Sequence, residues 1–346
     1  MKKIVLDKDS VVYVLSPCYF KTGGTELLHQ YVSTARKAGI NCKIVYPSAT
    51  QTKNINPAFR CYVDDYLTLE ELDDSQNNVI IVPEIYTGYL RLFKNLRVVV
   101  WWESVDNYLK TQSLTYHLKH FADNPKQSLG YLFRIVLGKQ KSLPFRLLKK
   151  NVDFHFVQSE YARLFLEQKG IIDNVFYVSD YINDMYLSGL SDPNNKKNIV
   201  CYNPAKGRRF TEKIIERAKG VSFVPLVNMT NEQVFNTLLQ AKVYIDFGDH
   251  PGKDRFPREA AMMGCCVITG KNGSARNDED IYIDKAFKFD QRSNEVKRII
   301  EMIQKCLCNY DEMTHCFDRY RQRIAEEKNC FEENLIDCFE VRQNAL

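Results

Sequence analysis

Short apolar runs alternate along the chain with longer segments of helical period. Ser10–Leu15 (SVVYVL) reads as a strand that enters a glycine-containing loop, Lys21-Thr22-Gly23-Gly24. Leu27, Leu28, Tyr31 and Val32 then fall on one face of a helix. Further strands are expected at Cys42–Tyr46, Val79–Val82, Arg97–Trp101 and Phe154–Gln158, each followed by polar or helical sequence. The pattern restarts after Ser191–Lys197, a polar stretch that reads as an interdomain linker. Strands are expected there at Asn198–Tyr202, Ser222–Pro225, Val243–Phe247 and Cys265–Thr269, and helices at Thr211–Ala218, Asn231–Gln240 and Arg258–Met263. From Asn294 onward helical periodicity dominates.

Such alternation is the signature of a parallel sheet wrapped by helices. Two successive units predict an α/β chain of two Rossmann-like, doubly wound domains, 1–190 and 191–325, with 326–346 a terminal helix that packs back on the first. In sheets of this type ligands bind beyond the carboxyl ends of the strands, so two facing edges would form a cleft.

Composition narrows the classes. The 346 residues are 45% hydrophobic and 26% charged, which excludes a disordered chain. A net charge of +5 does not describe a dedicated nucleic-acid binder. The 11 cysteines form no C-x-x-C pair, so reduced, mostly buried thiols in a cytoplasmic protein are expected rather than a disulfide framework or zinc site. Asp7 and Asp9 interrupt the apolar start, so no secretion signal is expected. The apolar run Val98–Trp102 is far shorter than the ~20 residues a membrane helix needs.

The most informative stretch is Tyr244–Gly264. A strand ends at Asp246-Phe247, a loop rich in Gly, Pro and basic residues follows, and a helix is expected to open at about Pro257, with the proline in the first helical position. The first turn of such a helix offers backbone N–H groups and a positive dipole end to a diphosphate. Lys253, Arg255 and Arg258 add cations where the dipole disfavours them, which suggests an anionic ligand. Glu259, one turn in, is placed to accept hydrogen bonds from ribose hydroxyls. The plainer reading has Glu259 complementing the dipole and the basic residues facing solvent.

Phe256-Pro257-Arg258-Glu259-Ala260-Ala261 through Gly264 to Ile268 resembles the donor-site signature of GT-B glycosyltransferases, in particular the large retaining family four. Thr230–Asp246 resembles the helix and strand that precede it there. The resemblance implies a GT-B fold and transfer of a sugar from a nucleotide-diphosphate donor, held by the carboxy-terminal domain, with no metal or other cofactor. The family carries two glutamates eight positions apart, but the position eight before Glu259 is Pro251. The glutamate that faces the transferred sugar in the family is therefore missing.

A second basic cluster, Asn203 to Arg209, follows the strand Asn198–Tyr202. By the resemblance, Lys206 with Arg208 or Arg209 grips the donor diphosphate, beside Asn203, His250, Lys253, Arg255 and Phe256, while Glu259 holds the ribose. The absence of an H-x-x-x-H pattern argues against a metal-dependent transferase of the other major fold.

In the amino-terminal half, Gly23 and Gly24 permit a close backbone approach at a helix start, or simply a tight turn. The resemblance places donor phosphate or sugar near them. Glu84 and Glu103 end two expected strands and are the candidate catalytic carboxylates, acting on an acceptor hydroxyl or bonding the sugar. Their plainer reading is as loop carboxylates or helix caps, and Trp101 and Trp102 read as core.

Lys126–Lys150 holds seven basic residues, no acidic one, and the apolar set Leu129, Leu132, Phe133, Val136 and Leu137. It reads either as an internal helix with a basic face or as a segment that lies on an anionic bilayer, at the inner face of the cell membrane. The expected partners are a nucleotide sugar and a saccharide or lipid-linked saccharide acceptor, with no nucleic acid. Two other readings stay open: a nucleotide-sugar epimerase on the same architecture, and a non-catalytic GT-B-like partner protein.

Overall fold

The computed structural model describes residues 2–47, 55–119, 121, 125–138, 140–187 and 195–342. Positions 191–194 of the expected linker, and Lys139 of the basic segment, lie outside them. The chain divides into two compact units, Met1–Ser179 with Cys330–Leu346, and Asp180–Asn329. The division falls within the helix Asp318–Asp337.

In chain order the strands of the first unit are β1 (Ile4–Leu6), β2 (Val12–Leu15), β3 (Cys42–Val45), β4 (Val79–Pro83), β5 (Arg97–Trp102), β6 (Phe154–Val157) and β7 (Val175–Tyr177). Six of them form one parallel sheet in the order β3-β2-β4-β5-β6-β7. β4 is buried along its whole length, as a strand covered on both faces by helices must be, and this is why it reads as an unbroken apolar run. Leu15, Val45, Ile80, Val82, Val100, Trp102 and Leu148 build the core on one side of the sheet.

The second unit contains β8 (Lys197–Tyr202), β9 (Ser222–Pro225), β10 (Ala241–Asp246), β11 (Cys266–Gly270) and β12 (Lys288–Phe289), a parallel sheet in the order β12-β11-β10-β8-β9. Val200, Val243, Ile245, Ile268, Ile299 and Ile303 lie in its core. Near the carboxyl terminus the chain returns to the first unit, where β13 (Phe339–Val341) pairs in parallel with β1. That pairing joins residues from opposite ends of the sequence, and periodicity alone does not reveal it.

Each sheet reverses its winding once. In the first unit the chain passes from β2 to β3 on one side and then to β4 on the other; in the second it passes from β8 to β9 and then to β10. The crevice beyond the carboxyl ends of such a strand pair is where open α/β sheets bind ligands. The segments after β2 and β4 contain Gly23, Gly24 and Glu84, and those after β8 and β10 contain Lys206 and the loop 247–254.

Candidate functional site

In the first unit, Thr22 caps the helix Gly23–Lys37, its hydroxyl accepting from the Thr25 N–H, while the Thr25 hydroxyl bonds back to the Thr22 backbone. Gly24 stands in the first turn against Glu103: a Cβ at this position would lie 2.2 Å from Glu103 Oε2. Gly24 and Glu103 therefore meet, although 79 positions separate them. A side chain at position 24 would push the Glu103 carboxylate out of this seat.

Glu84 is 2% exposed and accepts the Glu103 backbone N–H at 3.0 Å. Burial pushes its carboxyl up to about 8 from the ordinary 4.5, opposed by the backbone hydrogen bonds it accepts. Glu84 is thus not the cleft-edge carboxylate expected from the strand end. It sits beneath Glu103 and fixes that residue's backbone. Trp101 and Trp102 are fully buried core residues.

In the second unit the two basic loops touch. Gly207 takes a left-handed conformation at φ 61° as the N-cap of the helix Arg208–Arg217, and a Cβ on it would strike the Phe247 carbonyl oxygen at 1.9 Å. This helix begins three residues before the expected Thr211, so Arg208 and Arg209 stand in its first turn, which itself contains no acidic residue and is closed by no side-chain cap. Both arginines are exposed, and Arg208 also pairs with Glu212 at 2.6 Å. At the end of β8, Asn203 accepts the Ala205 N–H at 3.0 Å and so shapes the turn into Lys206.

The second helix start departs from expectation. The helix runs Arg255–Met262 with Asp254 as N-cap, so Pro257 is the third helical residue and not the first. Its cations are matched by carboxylates of the chain itself. Arg258, 0% exposed, donates to Asp180 at 2.7 Å and to Glu327 at 2.7 Å. Arg255 donates to Asp180 at 3.1 Å, and Lys253 pairs with Glu327 at 2.8 Å. Burial alone would raise the Asp180 carboxyl, but Arg258, Arg255 and Lys253 outweigh it and hold the group below the usual range. The charge at this helix start therefore does not by itself require a phosphate. Sequence spacing hid the match because Asp180 and Glu327 are distant along the chain.

Lys206 Nζ donates to Asp254 Oδ1 at 2.7 Å. Burial favours the neutral amine, yet Asp254, Asp246 and Asp249 outweigh it and keep the ammonium charged. His250 is fully buried, adopts φ 47°, and sets its ring nitrogens 3.5 Å from Asp246 Oδ1 and 3.1 Å from Asp254 Oδ2. Burial would neutralise the imidazole, but the two carboxylates raise its proton affinity above the ordinary value. Asp246 also accepts from the Tyr244 hydroxyl and the Gly248 N–H, each at 2.9 Å.

Asp246, His250 and Asp254 bring one ligand atom each within 4.8 Å of one another, a cluster with metal-ligand chemistry. The regular spacing Asp246-x-x-x-His250-x-x-x-Asp254 is the signal in the sequence from which this cluster could have been found. Lys206 shares Asp254 with it, so a cation already stands at this carboxylate. Phe256 and Glu259 are half-buried, with the Phe256 ring 6.2 Å from that of Tyr244. The first unit thus holds a carboxylate seat at the end of β5, and the second unit, taken by itself, holds a compact, charge-balanced cluster where two strand-to-helix loops meet.

No family model matches the chain. An alpha-1,6-glucosyltransferase of Actinobacillus pleuropneumoniae serotype 7 (strain AP76) is 23% identical over 265 residues, 74% of this chain and 70% of the relative. Among solved structures, TarM superposes with a TM-score of 0.68 at 10% identity, covering 96% of this chain and 99% of its own. Anabaena HepE in complex with UDP superposes with a TM-score of 0.63 at 8% identity, covering 95% and 98%. The chain has the α/β GT-B fold of these glycosyltransferases, as the donor-loop resemblance implied.

Proposed function

We propose that the protein is a glycosyltransferase that moves a hexosyl or related sugar from a nucleotide-diphosphate donor to a saccharide or lipid-linked saccharide acceptor. The observation that carries this reading is the position of Lys206. Its charged amine lies in the loop after β8, beside the strand pair where the second sheet reverses its winding. The glucosyltransferase relative and the GT-B fold over 95% of the chain support the same chemistry.

The donor diphosphate lies against Lys206 and the uncapped first turn of the helix Arg208–Arg217, where Arg208 and Arg209 add charge. Glu259 receives the ribose. As the acceptor hydroxyl oxygen bonds to the anomeric carbon, the bond to the diphosphate breaks, its electron pair leaves with the nucleoside diphosphate, and the hydroxyl proton passes to a carboxylate, for which Glu103 is the candidate. Lys206 offsets that developing charge, a role that needs no metal. Glu103 holds the acceptor hydroxyl or the transferred sugar, and Glu84 fixes Glu103 from beneath. The free thiols of all 11 cysteines fit a cytoplasmic setting.

The test is incubation with a panel of nucleotide sugars headed by UDP-glucose, together with saccharide acceptors and with or without a chelator. Transfer product unaffected by the chelator is expected. An isomerised donor would mark an epimerase, and no turnover of any donor would mark a non-catalytic partner.

A further inference from the structure

We propose that the outward face of the helix Pro125–Val136 docks on an anionic lipid surface. An ordinary surface helix has one apolar stripe and one polar face. This helix has two apolar stripes. Ser128, Tyr131, Leu132 and Ile135 turn inward, and Tyr131 stacks on the buried His117 with ring centroids 5.2 Å apart. Leu129, Phe133 and Val136 turn outward at 57%, 67% and 76% exposure, one helical face at i, i+4 and i+7. Leu118 of the preceding helix Leu114–Lys119, at 70%, is exposed as well.

Charge selects the partner. From Pro125 to Lys150 the sequence has seven basic residues and no carboxylate, and the next acidic residue is Asp153. Lys126, Arg134, Lys141, Arg146, Lys149 and Lys150 are all exposed. An apolar stripe on a helix whose own charges are Lys126 and Arg134, followed by a segment with cations and no carboxylate, matches the boundary between acyl chains and anionic headgroups. A second copy of this chain would set like charges against each other across the same stripe. Nucleic acid would leave the apolar face in water.

Flotation with phosphatidylcholine vesicles, pure or containing one third phosphatidylglycerol, tests the proposal without any sugar donor, so it stands or falls apart from the transferase reading. The protein should float with the mixed vesicles in low salt, and binding should weaken in high salt. Leu129→Ser, Phe133→Ser and Val136→Ser combined should reduce binding about tenfold or more, with an unchanged melting temperature because the three side chains are exposed. Equal flotation of the triple variant would overturn the proposal. So would the absence of vesicle binding, or a dimer in solution that the triple variant abolishes.

Discussion

The Lys206 ammonium and the Asp254 carboxylate meet at 2.7 Å, joining the loop after β8 to the start of the helix Arg255–Met262. Asp254 is thus the anion at that helix start, where the dipole favours one. A donor diphosphate bound as proposed would compete with Asp254 for the same amine. Asp254→Asn should therefore tighten UDP binding by about 1–2 kcal/mol, the scale of one charged hydrogen bond, while lowering the melting temperature. Calorimetric titration decides it: weaker binding in the variant would mean that Asp254 helps to hold the donor.

Gly24→Ala places a methyl group where the Glu103 carboxylate lies, 2.2 Å from Oε2. Alanine in a helix is favoured over glycine by roughly 0.5–1 kcal/mol, so stability should hold or rise. Turnover should fall about tenfold or more, the size of effect expected when a reacting group is misplaced. A variant with full kcat would remove Glu103 from the reaction.

Glu84 gives a pH dependence with a definite sign. Its carboxyl titrates at about 8 when folded against 4.5 ordinarily, so the folded state keeps a proton that the unfolded chain has lost. Its contribution is fully present below pH 4.5 and is lost as pH rises towards 8. A tenfold change in proton affinity is worth about 1.4 kcal/mol. Glu84→Gln, whose amide oxygen can still accept the Glu103 N–H, should show a flatter melting temperature across this window than the parent. Parallel curves would contradict the burial argument.

Asp180 holds both Arg258 and Arg255 in the interior of the second unit. Asp180→Asn leaves the buried Arg258 with too little negative charge, which typically costs about 3–5 kcal/mol. Denaturant unfolding should show that loss, and a change below about 1 kcal/mol would mean that Glu327 alone balances the arginine.

The strands were legible because both sheets are covered by helices, which demands unbroken apolar runs such as Val79–Pro83 and Val98–Trp102. Helix starts were less so. Arg208 and Arg255 begin helices two or three residues earlier than periodicity suggested, because neither first turn contributes enough apolar surface to register. The candidate site was legible as residue types and not as partnerships. Lys206, Arg255 and Arg258 stood out as charge, but the carboxylates that meet them come from other elements, 75 positions away for Arg255 and 78 for Arg258 with Asp180. Gly24 and Glu103 were singled out separately. Only the parallel packing of β2, β4 and β5 puts the segments that follow them together.

The affinity of Lys206→Ala for UDP tests the account most directly. Calorimetry at fixed salt should show a loss of about 1–3 kcal/mol, with Glu259→Ala losing a similar amount and both variants still folded. If parent and variants bind UDP equally, or if the parent binds no nucleoside diphosphate at all, the donor site is not where the two loops of the second unit meet.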